Sequence, residues 1–202
     1  MSDQTRPITS IAPDPTALKA LAHPVRLRML SLLRLDGPAT ASGLAARLGL
    51  NSGATSYHLR QLALHGFIEQ DSERGNQRER WWRSRHEMTT FLTDTVEGDT
   101  LEAGLAFQQA ALNWHMRQMQ AAHNAYPDLP PEWRRAFTVS DYTIALTPAA
   151  ATALMDQIKA LLVQAMAAAP ALGAPLPEGV LPFSIILNAA PRSTEAPGQG
   201  TP

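Results

Sequence analysis

Between residues 40 and 83 the apolar spacing switches from a helical period to a two-residue period, and that switch leaves few folds open. Thr40 can cap a helical run that turns Leu44, Ala45 and Leu48 inward and stops at Gly49. Asn51 or Ser52 caps a second helix, with Thr55, Leu59 and Leu62 inward, which ends near His65-Gly66. Residues 67–70 and 80–83 then read as two short strands joined by the polar loop 71–79, with Gly75-Asn76 at its tip. Ala45 stands four residues before Gly49, where a small side chain lets the two helices approach. Gly49 can take the left-handed conformation a tight turn needs, and Leu50 fills the gap behind it. A first helix that stops sharply lets the second lie across it and project outward, the geometry of a helix-turn-helix.

The elements on either side extend this unit. Asp14-Pro15 opens a short helix to about residue 22, and Pro24 starts another with Val25, Leu27, Leu30 and Leu33 on one stripe. Asp36-Gly37-Pro38 ends it. Residues 1–13 read as a flexible arm, 14–90 as one domain, 91–190 as a second, and 191–202, rich in Pro, Gly, Ser and Thr, as a disordered tail. In the second domain a helix is expected from 99 to 126, with Asp99 and Glu102 as a capping box and Pro127 as its stop. Such a helix is roughly 40 Å long. Leu101, Leu105, Leu112, Met116, Met119 and Tyr126 form a seam along it, expected to pack partly on the 142–187 region and partly on a twin. Residues 142–146 alternate like a strand, Thr147-Pro148 opens a helix carrying Leu154, Ile158, Leu161 and Ala165, and 181–187 read as a last strand. The expected class is mainly α with small β (α+β): an N-terminal winged helix-turn-helix, a long linking and dimerisation helix, and a small C-terminal α/β unit.

Charge separates the two domains. Residues 1–90 carry 12 Lys+Arg against 8 Asp+Glu, a net +4, whereas residues 91–202 carry 5 against 10, a net -5. A basic first half on a chain of net charge -1 points to a polyanion partner for that half alone. No cysteine is present, which excludes disulfides, thiol nucleophiles and thiolate metal sites. The N-terminus lacks the basic start and apolar core of a secretory signal. The uncharged stretch 160–177 is Ala-rich and broken by Pro170, Pro175 and Pro177, a poor membrane span. A cytoplasmic protein without membrane partners is expected.

The run His23-Pro24-Val25-Arg26-Leu27-Arg28-Met29-Leu30 resembles the opening of ArsR-type winged-helix regulators. So do residues 51–68, with Ser56, His58-Leu59, Leu62 and Gly66-Phe67-Ile68 in the family's pattern, and the wing Arg74-Gly75-Asn76-Gln77-Arg78. The resemblance covers roughly residues 14–85; beyond about 100 the chain is more loosely similar to C-terminal extensions of larger members. It implies a homodimeric transcription regulator that binds double-stranded DNA. The residue reading agrees: Ser52, Gly53, Ser56, Tyr57 and Arg60 lie on the outer face of the second helix, mostly in the half that reaches base edges. Arg60 suits a bidentate guanine contact or a phosphate. In the hairpin, Arg74, Asn76, Gln77, Arg78 and Arg80 suit phosphates or the minor groove. Trp81 and Trp82 point to opposite faces, one into the core and one half-exposed. Arg26 and Arg28 are expected in salt bridges or against phosphates, and His23 and His65 at helix boundaries as caps or hydrogen-bonding groups.

In the second domain Leu105, Leu112 and Met119 are the expected dimer contacts, giving an inverted-repeat operator. Trp114, Met116 and Met119 are candidate lining for a pocket that takes a small apolar effector. No metal or other cofactor is expected: His115 and His123 stand eight residues apart with no carboxylate between them. No catalytic residue is expected either, since the chain has no glycine-rich phosphate loop, G-x-S-x-G or H-E-x-x-H. Two other readings are a winged helix serving as a protein-interaction module, and a ligand-processing protein with a regulatory head.

Overall fold

The computed structural model describes residues 5–74, 79–90 and 97–192. Helix α1 (Pro15–Leu21) begins where the Asp14 carboxylate accepts from the Ala17 N–H at 2.8 Å. Helix α2 (Pro24–Leu35) is capped by His23, whose Nδ1 accepts from the Val25 N–H at 3.2 Å. Thr40 caps α3 (Ala41–Leu48) and Asn51 caps α4 (Ser52–Leu64), each through its side-chain oxygen, as the sequence suggests. Between them Gly49 sits at φ +67, and both its N–H and that of Leu50 donate to the Ala45 carbonyl.

The hairpin follows at once. Strands β3 (Ile68–Gln70) and β4 (Trp81–Ser84) pair antiparallel, with Ile68 opposite Ser84 and Gln70 opposite Trp82. A two-residue strand β2 (Ala39–Thr40) adds to the other edge of β4, giving the order β2-β4-β3. It is too short to show a period in the sequence. Trp82 is buried and Trp81 only half-buried, the expected division. Trp82 joins Leu30, Leu33, Leu44, Leu59, Leu62 and Phe67 in one core. Each fully buried Leu or Phe there contributes about 1.5–3 kcal/mol relative to exposure.

The N-terminal arm is not loose where it is described. Ser10–Ile11 forms β1, which pairs in parallel with β5 (Met88–Thr89). Arg6 meets Glu87 at 2.6 Å and donates to the Ala169 carbonyl. The partners of this arm lie far away in the chain, so nothing local in its sequence marks it. Arg34 holds the same corner, donating to the His86 carbonyl at 2.8 Å and to Thr89 at 2.9 Å.

The long helix is α5 (Gly98–Ala125), close to its expected span. The capping box is not made: Glu97 is the N-cap residue, and no side chain caps it. A 3-10 turn (Tyr126–Asp128), α6 (Pro131–Ala136) and α7 (Pro148–Ala168) follow. α5 packs on α1 and α2 through Ala103, Gly104 and Ala110, whose small side chains allow close approach. That face competes with the Leu/Met seam and wins. Leu101, Leu105, Leu112, Met116, Met119 and Tyr126 are all exposed, so the packing expected on residues 142–187 does not bury the seam among the described residues. The α+β class holds, but the C-terminal unit lacks its strands. Residues 137–147 and 180–190 form no strand among the described residues, so only α7 of the expected α/β unit forms. No helix of the described residues is long and apolar enough to cross a membrane.

One contact ties the C-terminal segment back to the first domain. A Cβ on Gly37 would overlap the Gly173 carbonyl, and one on Gly173 would come within 2.8 Å of the Gly37 Cα.

The turn at Gly49 can be tested directly. Space around it is open, so substitution meets backbone strain alone. Gly49→Ala should destabilise the chain by about 1–2 kcal/mol, with Gly49→Asn milder, since Asn tolerates the left-handed region. Thermal unfolding of the three proteins checks the order; an alanine variant as stable as the parent would contradict it.

Candidate nucleic-acid interface

Helix α4 buries Thr55, Leu59 and Leu62 and turns Ser52, Gly53, Tyr57 and Arg60 outward, with Ser56 half-buried between them. The Thr55 hydroxyl satisfies itself by donating to the Asn51 carbonyl at 3.0 Å, so burying it leaves no unpaired group. Arg60 lies along its own helix, its Nε donating to the Ser56 carbonyl at 3.1 Å, which leaves the far end of the guanidinium facing outward.

The fold brings four of the expected residues together. Ser52, Ser56, Arg60 and Arg80 line one open concavity of about 450 Å³, shared with Thr40 and Ser42 at the start of α3. The sequence marks Thr40 as a cap but does not show that it stands beside α4, which depends on the turn at Gly49. Trp82 and Glu79 complete the wall at the base of the wing. Arg74 stands apart, lining a second concavity with Asp36 and Gly173. It reaches the buried Asp71 carboxylate at 3.6 Å, and Asp71 also accepts from the Glu73 N–H, shaping the start of the wing. Asn76, Gln77 and Arg78 lie outside the described residues. On the strands, Glu69 is flanked by Arg83 at 2.9 Å and Arg85 at 3.4 Å.

Behind Tyr57 lies a cluster whose assembly the sequence does not reveal. The rings of His23 and His58 stand 4.6 Å apart, and Tyr57 packs edge-on against His58 at 5.5 Å. His58 Nδ1 and Arg26 Nε are buried there without a hydrogen-bond partner. Arg28 Nε is likewise unpaired, so the salt bridges expected for Arg26 and Arg28 do not form among the described residues. Burial, then the charges of His23 and Arg26, hold His58 below the ordinary imidazole value of 6.5. His23 is lowered by burial and by Arg26. Burial also lowers Arg26, opposed by Tyr57. Arg34 is lowered by burial to about 10, opposed by Glu87, and remains charged at neutral pH.

A family model described as a helix-turn-helix domain matches residues 21–71. Residues 21–71 are a helix-turn-helix domain. Across 62 residues this chain is 44% identical to the HTH-type transcriptional regulator YgaV of Escherichia coli (strain K12), covering 30% of this chain and 60% of that relative. The chain thus spans about three-fifths of the length of the curated relative it matches. The helix-turn-helix read from the sequence holds for residues 21–71, and β3 and β4 pair as the hairpin expected beside it. Among solved structures, reduced HlyU from Vibrio cholerae N16961 is 23% identical, covering 46% of this chain and 84% of that one at a TM-score of 0.30. The homodimeric winged helix-turn-helix DNA-binding domain (fragment 1–100) of Mb0332 from Mycobacterium bovis is 22% identical, covering 54% and 81% at a TM-score of 0.32.

The expected effector pocket is not formed within one chain. Met116 and Met119 are exposed, and Trp114 is half-buried with Arg117 over its ring at 5.7 Å, so the three enclose nothing. No group of three or more metal-ligating side chains occurs among the described residues.

The histidines set a pH dependence. His23, His58, His86 and His115 are each lowered, with burial the first cause in every case. On acidification the unfolded chain therefore takes up protons first, near 6.5, while the folded chain keeps these rings neutral. Their contribution to stability is complete above 6.5 and is lost as pH falls through the lowered folded values. Tm should hold steady between pH 7 and 8 and drop between 6.5 and 5.5, with a shallower drop in His58→Gln. Calorimetry across that range checks it; a Tm that rises on acidification would contradict the assignment.

Proposed function

We propose that this chain is a cytoplasmic, sequence-specific transcription regulator that binds double-stranded DNA as a homodimer on an inverted-repeat operator. Residues 14–90 are its DNA-binding domain, and residues 91–190 carry dimerisation. The observation that carries the reading is the concavity where Ser52, Ser56 and Arg60 of the outer α4 face meet Arg80 of the wing. It combines a helix of groove-reading geometry with a cation from the hairpin, in the basic half of the chain. In this reading Ser52, Gly53, Ser56, Tyr57 and Arg60 face base edges. Arg74, Asn76, Gln77, Arg78 and Arg80 face phosphates or the minor groove. The dimer reading is supported by Leu105, Leu112 and Met119, apolar residues left exposed along a 28-residue helix. Two-fold pairing would set two α4 helices about 34–36 Å apart on one face of the duplex.

Two arginines separate base reading from phosphate contact. Arg60→Ala should lose about 1–3 kcal/mol of affinity for the selected operator and relax its sequence preference. Arg78→Ala should weaken all duplexes alike and lower the slope of log affinity against log salt by about one. Operator selection from random duplexes, followed by salt titrations of the three proteins, checks both. A parent that binds duplex DNA with no salt dependence would instead favour a protein-interaction module. For the dimer, Leu112→Glu with Met119→Glu should yield monomers with much weaker operator binding, read by sedimentation and gel shift. A parent chain that sediments as a monomer at micromolar concentration while fully binding a half-site would refute it.

A further inference from the structure

Two segments flanking α7 are built like strands and have no sheet. Tyr142, Ile144 and Leu146 alternate with Thr143 and Ala145, and Leu181, Phe183, Ile185 and Leu187 alternate with Pro182, Ser184 and Ile186. Neither segment forms regular secondary structure, and no backbone group of residues 138–146 or 181–190 makes a backbone hydrogen bond among the described residues. Their apolar side chains are exposed, Tyr142 by 84% and Ile144 by 60%, Phe183 and Ile185 by 55% each. Helix α7 between them buries no residue fully. A row of free N–H and C=O groups beside alternating apolar side chains is a template for another strand. Pro182 fits this pattern, because it stands at the start of its segment, where a strand tolerates proline.

The surface of the chain sets the size of what is missing. It exposes 14545 Å², whereas a compact monomer of 21.9 kDa exposes about 9,300 Å². Even when the 24 residues outside the described segments are allowed the largest surface their mass permits, about 1.45 Å² per dalton, and the rest is compared with a compact body of its own mass, an excess of roughly 2,200 Å² is left. Obligate dimers bury about 2,000–5,000 Å² over both partners, so this excess per chain is what one such interface removes. The exposed seam of α5 shares in this excess, but seam packing satisfies no strand backbone, so the two segments need a partner of their own. A second copy offers both segments at once, in an arrangement that a two-fold axis closes.

We infer that residues 138–146 of one copy pair with residues 181–187 of a second, so that two chains together build the α/β unit that neither forms alone. This inference rests on the homodimer proposed above and specifies how its C-terminal halves engage. Each copy then contributes α7 to cover one intermolecular sheet, with Tyr142, Ile144 and Leu146 against the apolar side of Phe183, Ile185 and Leu187. Phe183 is already oriented at its root, 6.2 Å from the Trp133 ring on α6.

The test uses the full chain. Sedimentation first gives the oligomeric state, amide hydrogen exchange then reports protection in both segments, and isotope-filtered NOEs on a mixture of labelled and unlabelled chains report which copy supplies the partner. The expected result is a dimer, with protected amides at 143–146 and 183–187 and NOEs between the two segments across copies. Ile144→Pro or Ile185→Pro, which removes a ladder donor, should raise the dimer dissociation constant at least about 30-fold, while Ile144→Val leaves it within a few fold. A dimer whose two segments exchange at unstructured rates, or pair only within one chain, overturns this inference and leaves the dimer standing. A monomer at micromolar concentration overturns both.

Discussion

The position of every outward-facing residue on α4 follows from one left-handed residue. Gly49 lets the Ala45 carbonyl take two N–H groups in succession, so α3 ends within a single step. The chain reverses there and Leu50 turns into the core. Asn51 then caps α4 with its own side chain, which fixes where that helix begins. Once the start is fixed, the helical period sends Leu59 and Leu62 to the core and Arg60 to the outside. A β-carbon at residue 49 opposes the whole sequence of events at its first step.

The wing depends on this core as much as the helices do. Trp82 is at once the middle of the three-stranded sheet and a wall of the helical core, so β4 cannot shift register without opening a cavity. Its neighbour Arg83 stays outside and pairs with Glu69. At the far end of the unit, Arg34 leaves α2 to hold the backbone after β4 and the side chain of Thr89. Burying a guanidinium is costly, and it is retained here with two hydrogen bonds to fixed acceptors. Hairpin, N-terminal arm and helices are thereby joined behind the concave face.

Local features of the chain were legible, and long-range ones were not. Asp14, Thr40 and Asn51 each act within three residues of their own position, so their caps can be read from order alone. The opposite fates of Trp81 and Trp82 follow from strand geometry in the same way. The β1–β5 pair joins residues almost eighty positions apart through strands of two residues, a length at which no period exists. The α5 seam misleads for a different reason. Spacing shows which residues share a stripe but not which of two stripes a neighbour selects, and α1 selects the small one, at Ala103, Gly104 and Ala110. At the site, Ser52, Ser56 and Arg60 are evident from helix phase, whereas their meeting with Arg80, Thr40 and Ser42 requires the tertiary fold.

The close approach of Gly37 and Gly173 brings the region after α7 against the end of α2, in the concavity that also holds Arg74 at the root of the wing. Two backbones in direct contact leave no side chain between them to absorb a displacement by changing rotamer. The segment around Gly173 is thereby seated directly on the backbone at the end of α2, beside the wing. Any residue larger than glycine at either position would have to push these two backbones apart, beside the wing and without altering a single residue of α4.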